Sequence, residues 1–231
     1  MLAENTIGDV GMSALAIGIA EGGCASGMLE QLYLGENAFG PAGVTALATE
    51  VLGAPDCRIK MLYLYDNVIR DEGIAAIAEA RPASLEQLNV KHTGITAVGA
   101  EKLADLLSLD GSRLHTLDAG DNALVGDVGA ASLAAALGPA MATLYLRGCG
   151  IGDAGAIALA VSYGSGGSGL CTLDLTDNRI GDAGALALVS ALEARDASGP
   201  LHLYLAGNGI GEVGLAALAS AHERQLYVGP L

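Results

Sequence analysis

Apolar and polar positions repeat one pattern along this chain. In its clearest copy Leu170, Leu173 and Leu175 are followed by Asn178 and Ile180. Leu173 and Leu175 alternate with polar residues, which predicts a short strand with one buried face. The turn Gly181-Asp182-Ala183-Gly184 follows, and then Leu186, Val189 and Leu192 recur at helical spacing. They predict a helix whose apolar side faces the strand. Neither half can bury its apolar face alone, so the copies must stack.

The asparagine position recurs at Asn5, Asn37, Asn67, Thr93, Asn122, Cys149, Asn178 and Asn208, about every 29 residues. Three residues before it stand Leu2, Leu34, Leu64, Val90, Ala119, Leu146, Leu175 and Leu205. Six after it stands Gly11, Gly43, Gly73, Gly99, Gly155, Gly184 or Gly214, and Gly129 comes one later because Val125 is an extra residue. With this register the chain resembles the leucine-rich-repeat proteins, of the long-repeat type typified by ribonuclease inhibitor, over essentially its whole length. The resemblance implies an α/β solenoid, a horseshoe with parallel strands on the concave face and helices on the convex face. It also implies an inward-pointing Asn or Cys that hydrogen-bonds buried backbone, a task suited to an amide that both donates and accepts. Thr93, followed by Gly94, departs from that rule and predicts a less well satisfied loop.

The reading is of one domain over residues 1–231, about eight strand-helix repeats giving nine strands and eight helices, with Asn37, Asn67, Asn122, Asn178 and Asn208 buried in successive turns. The chain begins part-way through a strand at Leu2, and Leu226, Tyr227 and Val228 occupy strand positions of a copy without a helix. Solenoids ordinarily close with capping repeats. Either this is a fragment of a longer protein or its ends pair, which includes end-to-end self-association.

Val128 to Leu146 and Ala154 to Leu173 are uncharged stretches long enough to span a bilayer. Gly138-Pro139 breaks the first and Gly164 to Gly169 the second, and each decomposes into helix, turn and strand, so neither is read as a membrane span. The balance of 11 basic against 26 acidic residues, a net charge of −15, repels phosphates and anionic head groups. Nucleic acid and membrane surfaces are therefore poor partners. Cys24, Cys57, Cys149 and Cys171 form no C-x-x-C pair, and no N-x-[ST] site or signal peptide is visible. An intracellular, cytoplasmic setting fits, with a nuclear one left open.

Residues 150–155 and 209–214 both match G-x-G-x-x-G between a strand and a helix. The repeat accounts for them better than a dinucleotide site does, since the last glycine is a repeat position. Asp9, Asp71, Asp127, Asp153, Asp182 and Glu212 recur near helix starts, where capping of those helices is a simpler cause than metal binding. His92, His115, His202 and His222 are scattered, with no nucleophile or second metal ligand at recognisable spacing. No catalytic residue, metal or cofactor is assigned, and the chain is read as a non-enzyme.

The concave face remains. Its central column reads Tyr33, Tyr63, Asn89, Asp118, Tyr145, Asp174, Tyr204 and Tyr227, with Tyr65 beside it, which places six of seven tyrosines on one surface. Tyrosine suits recognition because it offers apolar area, a polar tip and little rotamer entropy to lose. Its high strand propensity is the competing explanation. Glu36, Asp66, His92, Asp121 and Asp177 run alongside, with Lys91 and Arg147 as the few cations. The candidate partner-binding residues are Tyr33, Tyr63, Tyr65, Asp66, Asp118, Asp121, Tyr145, Arg147, Asp174, Asp177, Tyr204 and Tyr227. The expected function is a protein-interaction scaffold for a partner with a basic surface. Two alternatives stay open. One is a GTPase regulator resembling the Ran GTPase-activating proteins, with Arg147 as a conceivable arginine supplied in trans. The other is the ligand-sensing region of a larger innate-immune-type receptor.

Overall fold

The computed structural model describes residues 2–22, 29–194 and 201–223. Strands and helices alternate: α1 (Asp9–Gly22), β1 (Gln31–Tyr33), α2 (Pro41–Leu47), β2 (Met61–Tyr63), α3 (Arg70–Ala80), β3 (Gln87–Asn89), α4 (Ala97–Leu107), β4 (Thr116–Asp118), α5 (Gly126–Ala136), β5 (Thr143–Tyr145), α6 (Asp153–Gly164), β6 (Thr172–Asp174), α7 (Asp182–Ala194), β7 (His202–Tyr204) and α8 (Glu212–Glu223). A π-helical turn, Ala48–Leu52, continues α2.

The strands form one open parallel sheet in sequence order, in unbroken register. Each is three residues long with a buried central leucine: Leu32, Leu62, Leu88, Leu117, Leu144, Leu173 and Leu203. The following Leu34, Leu64, Val90, Ala119, Leu146, Leu175 and Leu205 are buried as well, so alternation directs one row of every strand into the core. Helices cover that side and contribute Met12, Val44, Ile74, Leu103, Leu133, Leu159 and Leu188. The single Phe, Phe39, lies in the same core, as does Tyr163 of α6, the one tyrosine not assigned to the sheet face.

Seven strands are present among the described residues rather than nine. Leu2 is not in a strand, although its N–H bonds Tyr33 O at 3.1 Å, and the copy at Leu226–Val228 lies outside the described residues. The uncharged stretches are divided as expected, α5 from β5 and α6 from β6. No helix among the described residues is long and apolar enough to cross a membrane.

An asparagine ladder joins the repeats on the loop side. The Asn178 amide donates to Leu146 O, Leu175 O and Thr176 O, and its Oδ1 accepts from Cys149 N and Ile151 N. Asn67, Asn122 and Asn178 are buried, whereas Asn37 and Asn208, with fewer repeats stacked around them, are only half-buried. The Thr93 loop proves well satisfied: Thr93 Oγ1 donates to Val90 O, and the N–H groups of Thr93, Gly94 and Ile95 all reach Asn122 Oδ1. Among the described residues the orphan is instead Asn67 Oδ1, buried without a partner.

Thr93 and Cys149 act on the turn before them. An Asn in the next repeat accepts the N–H of Ile7, Ile95, Ile151 or Ile180. Thr and Cys lack that oxygen, so Ile69 N bonds Asn67 O and Val125 N bonds Asn122 O within their own turns. The next residues, Arg70 and Gly126, take left-handed conformations (φ 55° each) and donate to the backbone carbonyls of Thr93 and Cys149.

Among the described residues the five recurrent aspartates cap the following repeat rather than their own helix. Asp127 Oδ1 accepts from Gly152 N at 2.7 Å and Gly155 N at 2.9 Å, and Asp153 does the same for Gly181 and Gly184. Asp9, Asp71 and Asp182 repeat the arrangement on Gly40 and Gly43, Thr96 and Gly99, and Gly211 and Gly214. Stacking brings the next helix's uncapped N–H groups beside each carboxylate, where the helix dipole favours a negative charge.

Candidate interaction surface

The strand register places Tyr33, Tyr63, Asn89, Asp118, Tyr145, Asp174 and Tyr204 in one lateral row on the side away from the helices. All are half-exposed. Tyr227 lies outside the described residues. The row is not uniform. Tyr33 and Tyr63 stack, with ring centroids 4.8 Å apart and planes 11° from parallel, and Tyr63 donates its hydroxyl to Gln87 Oε1. Tyr65 lies over the backbone of the preceding repeat, so close that a β-carbon on Gly35 would fall 2.3 Å from its ring.

The polar members have local work. Asn89, Asp118 and Asp174 each accept the backbone N–H two residues on, from Lys91, Gly120 and Thr176. Such short local bonds shape the exit from the strand. Burial raises the Asp118 pKa, against the lowering influence of Gly120 N–H and of Lys91. Burial, then Asp118, also raises the pKa of Tyr145.

Beside this row runs one of left-handed residues: Glu4, Glu36, Asp66, His92, Asp121, Gly148, Asp177 and Gly207 all have positive φ. Asp tolerates this conformation better than most side chains and Gly best of all. The rim acids Asp66, Asp121 and Asp177 thus have a backbone reason for being there. They are also engaged: Asp66 with His92, Asp121 with Lys91 at 3.1 Å, and Asp177 with Arg147 at 2.6 Å. Among the described residues Glu4 and Glu36 have no ion-pair partner. Glu4 was not singled out in the sequence because it precedes the first tyrosine; its place in the row follows from its spacing to Asn5.

Sequence inspection also missed a groove of about 270 Å³ at the loop edge, between the exposed side chains of Val68 and Leu124 with Gly94 between them. The two tight turns hold those side chains outward. The glycine fingerprints are accounted for by the capping acids. A phosphate at Gly152 and Gly155 or at Gly211 and Gly214 would need N–H groups that Asp127 and Asp182 already occupy, and would meet those carboxylates. No group of His, Cys, Asp and Glu among the described residues is arranged to hold a metal ion. Burial pushes the Cys149 thiol up to about 12, and its Sγ contacts Ala119 O, the bond an asparagine makes elsewhere.

The family model described as Leucine Rich repeat matches residues 2–16, 26–48, 82–104, 141–160, 170–189 and 201–219, just over half of the chain. The chain belongs to the leucine-rich-repeat family. No curated protein matches it. The leucine-rich-repeat matches omit 49–81 and 105–140, which hold the Asn67 and Asn122 turns. These are the two turns that close on their own backbone. Leucine-rich repeats are generally protein-interaction modules.

Proposed function

We propose that this protein is an interaction scaffold that holds a protein partner with a basic surface against the tyrosine-bearing face of its sheet. The observation that carries this reading is the register placing Tyr33, Tyr63, Tyr145 and Tyr204 in one half-exposed row while the buried strand positions hold leucine. Large rings with polar tips, interspersed with carboxylates, suit a surface that packs against apolar stems and pairs with cationic ends. The repeat length and the replacement of Asn by Thr93 and Cys149 at two of the eight ladder positions support the ribonuclease-inhibitor-like subtype. Cys57, Cys149 and Cys171, the cysteines among the described residues, are free thiols, which supports a reducing, intracellular setting. The test is capture of protein partners on immobilised wild type and on a Tyr63→Ala, Tyr145→Ala, Tyr204→Ala variant, followed by affinity measurement on any partner found. Each tyrosine that acts as an anchor should cost binding about 1–2 kcal/mol or more. A partner indifferent to all three changes but lost on altering exposed helix residues such as Val161 would defeat the reading.

A further inference from the structure

The tyrosine face divides into two chemically different halves. From Asn89 onward its charges are largely matched within the protein: Lys91 pairs with Asp121, Arg147 with Asp177, and Asp118 and Asp174 hold backbone N–H groups. The first repeats differ. Tyr33 and Tyr63 form a stacked pair, the Tyr65 ring lies close against Gly35, and the Tyr65 phenol has its pKa raised by burial and then by Glu36, Glu4 and Asp66. Glu4 and Glu36 have no ion pair among the described residues, and both hold left-handed backbone (φ 59° and 54°). That conformation explains an aspartate or glycine, not a glutamate, which lacks the short local bonds that ease the strain. The two glutamates therefore stand where neither backbone preference nor an internal partner accounts for them.

We infer that this aromatic and acidic end of the face is the anchor point for the partner, and that it takes arginine side chains from an extended basic segment. This deepens the reading of the face as an interaction surface and rests on it. Arginine fits better than lysine because the site is an open sheet face. A guanidinium is planar and weakly hydrated, so it stacks on an exposed ring while its remaining N–H groups reach a carboxylate. A lysine ammonium keeps its hydration on an open surface and gains mainly from net charge.

The probes are two fluorescein-labelled peptides of equal charge, one alternating Gly and Arg and one alternating Gly and Lys, followed by anisotropy at about 0.15 M salt. The Arg peptide should bind at least several-fold more tightly than the Lys peptide. Tyr65→Ala and a Glu4→Gln, Glu36→Gln pair should each weaken the Arg peptide about tenfold, and Val161→Ala, on the exposed side of α6, by less than twofold. Thermal melts establish that the variants are folded. Equal affinity for the two peptides, or no binding of the Arg peptide, overturns the inference. Binding lost in Tyr145→Ala or Tyr204→Ala but kept in Tyr65→Ala also overturns it while leaving the face as the interaction surface. Binding indifferent to every tyrosine defeats both readings.

Discussion

Glycine stands near the start of the helices because its own turn and the neighbouring repeat together fill the space a β-carbon would need. At Gly155 that carbon would lie 2.7 Å from Ile151 Cγ2, 2.8 Å from Asp127 Oδ1 and 3.0 Å from Ala130 Cβ. Gly18, in the exposed part of α1, would meet nothing within 4 Å. Gly18→Ala should therefore gain about 0.5–1 kcal/mol from helix propensity, while Gly155→Ala should lose about 1–3 kcal/mol by overpacking. Urea unfolding of both variants checks the opposite signs. Asp118 provides a pH test. Its carboxyl holds a proton more readily in the folded chain, where burial raises its pKa, than in the unfolded chain, where it titrates near the ordinary carboxylate value of 3.8. As pH rises from about 3.8 through the folded-state value, the unfolded chain releases its proton first, so this residue lowers stability and continues to do so at neutral pH. The stability of Asp118→Asn relative to wild type should therefore improve across that window. A difference that does not change with pH would contradict the assignment.

The unit that matters among the elements is a helix start together with the acid of the previous repeat. Asp127 sits at the beginning of α5, yet its two bonds go to Gly152 and Gly155 at the beginning of α6. Asp127→Ala should cost about 1–2 kcal/mol, and hydrogen exchange should accelerate at Gly152 and Gly155 rather than in α5. Faster exchange confined to the start of α5 would mean that the acid serves its own helix. The same geometry predicts coupling: Gly155→Ala should be less costly in the Asp127→Ala background, because one of its close contacts has been removed. Pro41 and Ala97 stand where other repeats carry the acid, and the turns after them are the two that close locally. Two missing interactions, an aspartate from the preceding repeat and an asparagine oxygen from the following one, thus coincide in each tight turn.

Across the molecule the face is built on the core without being part of it, so tyrosine changes should separate binding from folding. They should not do so equally. Tyr63 loses a stacking partner and a bond to Gln87, whereas no ring stacking involves Tyr145 or Tyr204 among the described residues. Tyr63→Ala should lower stability by about 0.5–1.5 kcal/mol more than Tyr204→Ala, read from denaturant midpoints at unchanged m-value. Equal losses would show that the stack contributes nothing in solution.

The recurrence of Leu173, Leu175, Asn178 and Gly184 with their counterparts determined the repeat, the parallel order of the strands and the tyrosine row, because each is a matter of local periodicity carried over many copies. What each side chain does within that frame was decided by stacking. The destination of the Asp127 carboxylate, the orphaned oxygen of Asn67 and the pairing of Asp121 with Lys91 all involve residues about one repeat apart. No local pattern encodes them, since they depend on how closely one coil of chain lies against the next. The left-handed row could have been read from Gly148 and Gly207 among the acids, but a positive φ at Glu4 or Glu36 is a property of the closed turn, which neighbouring repeats hold in place.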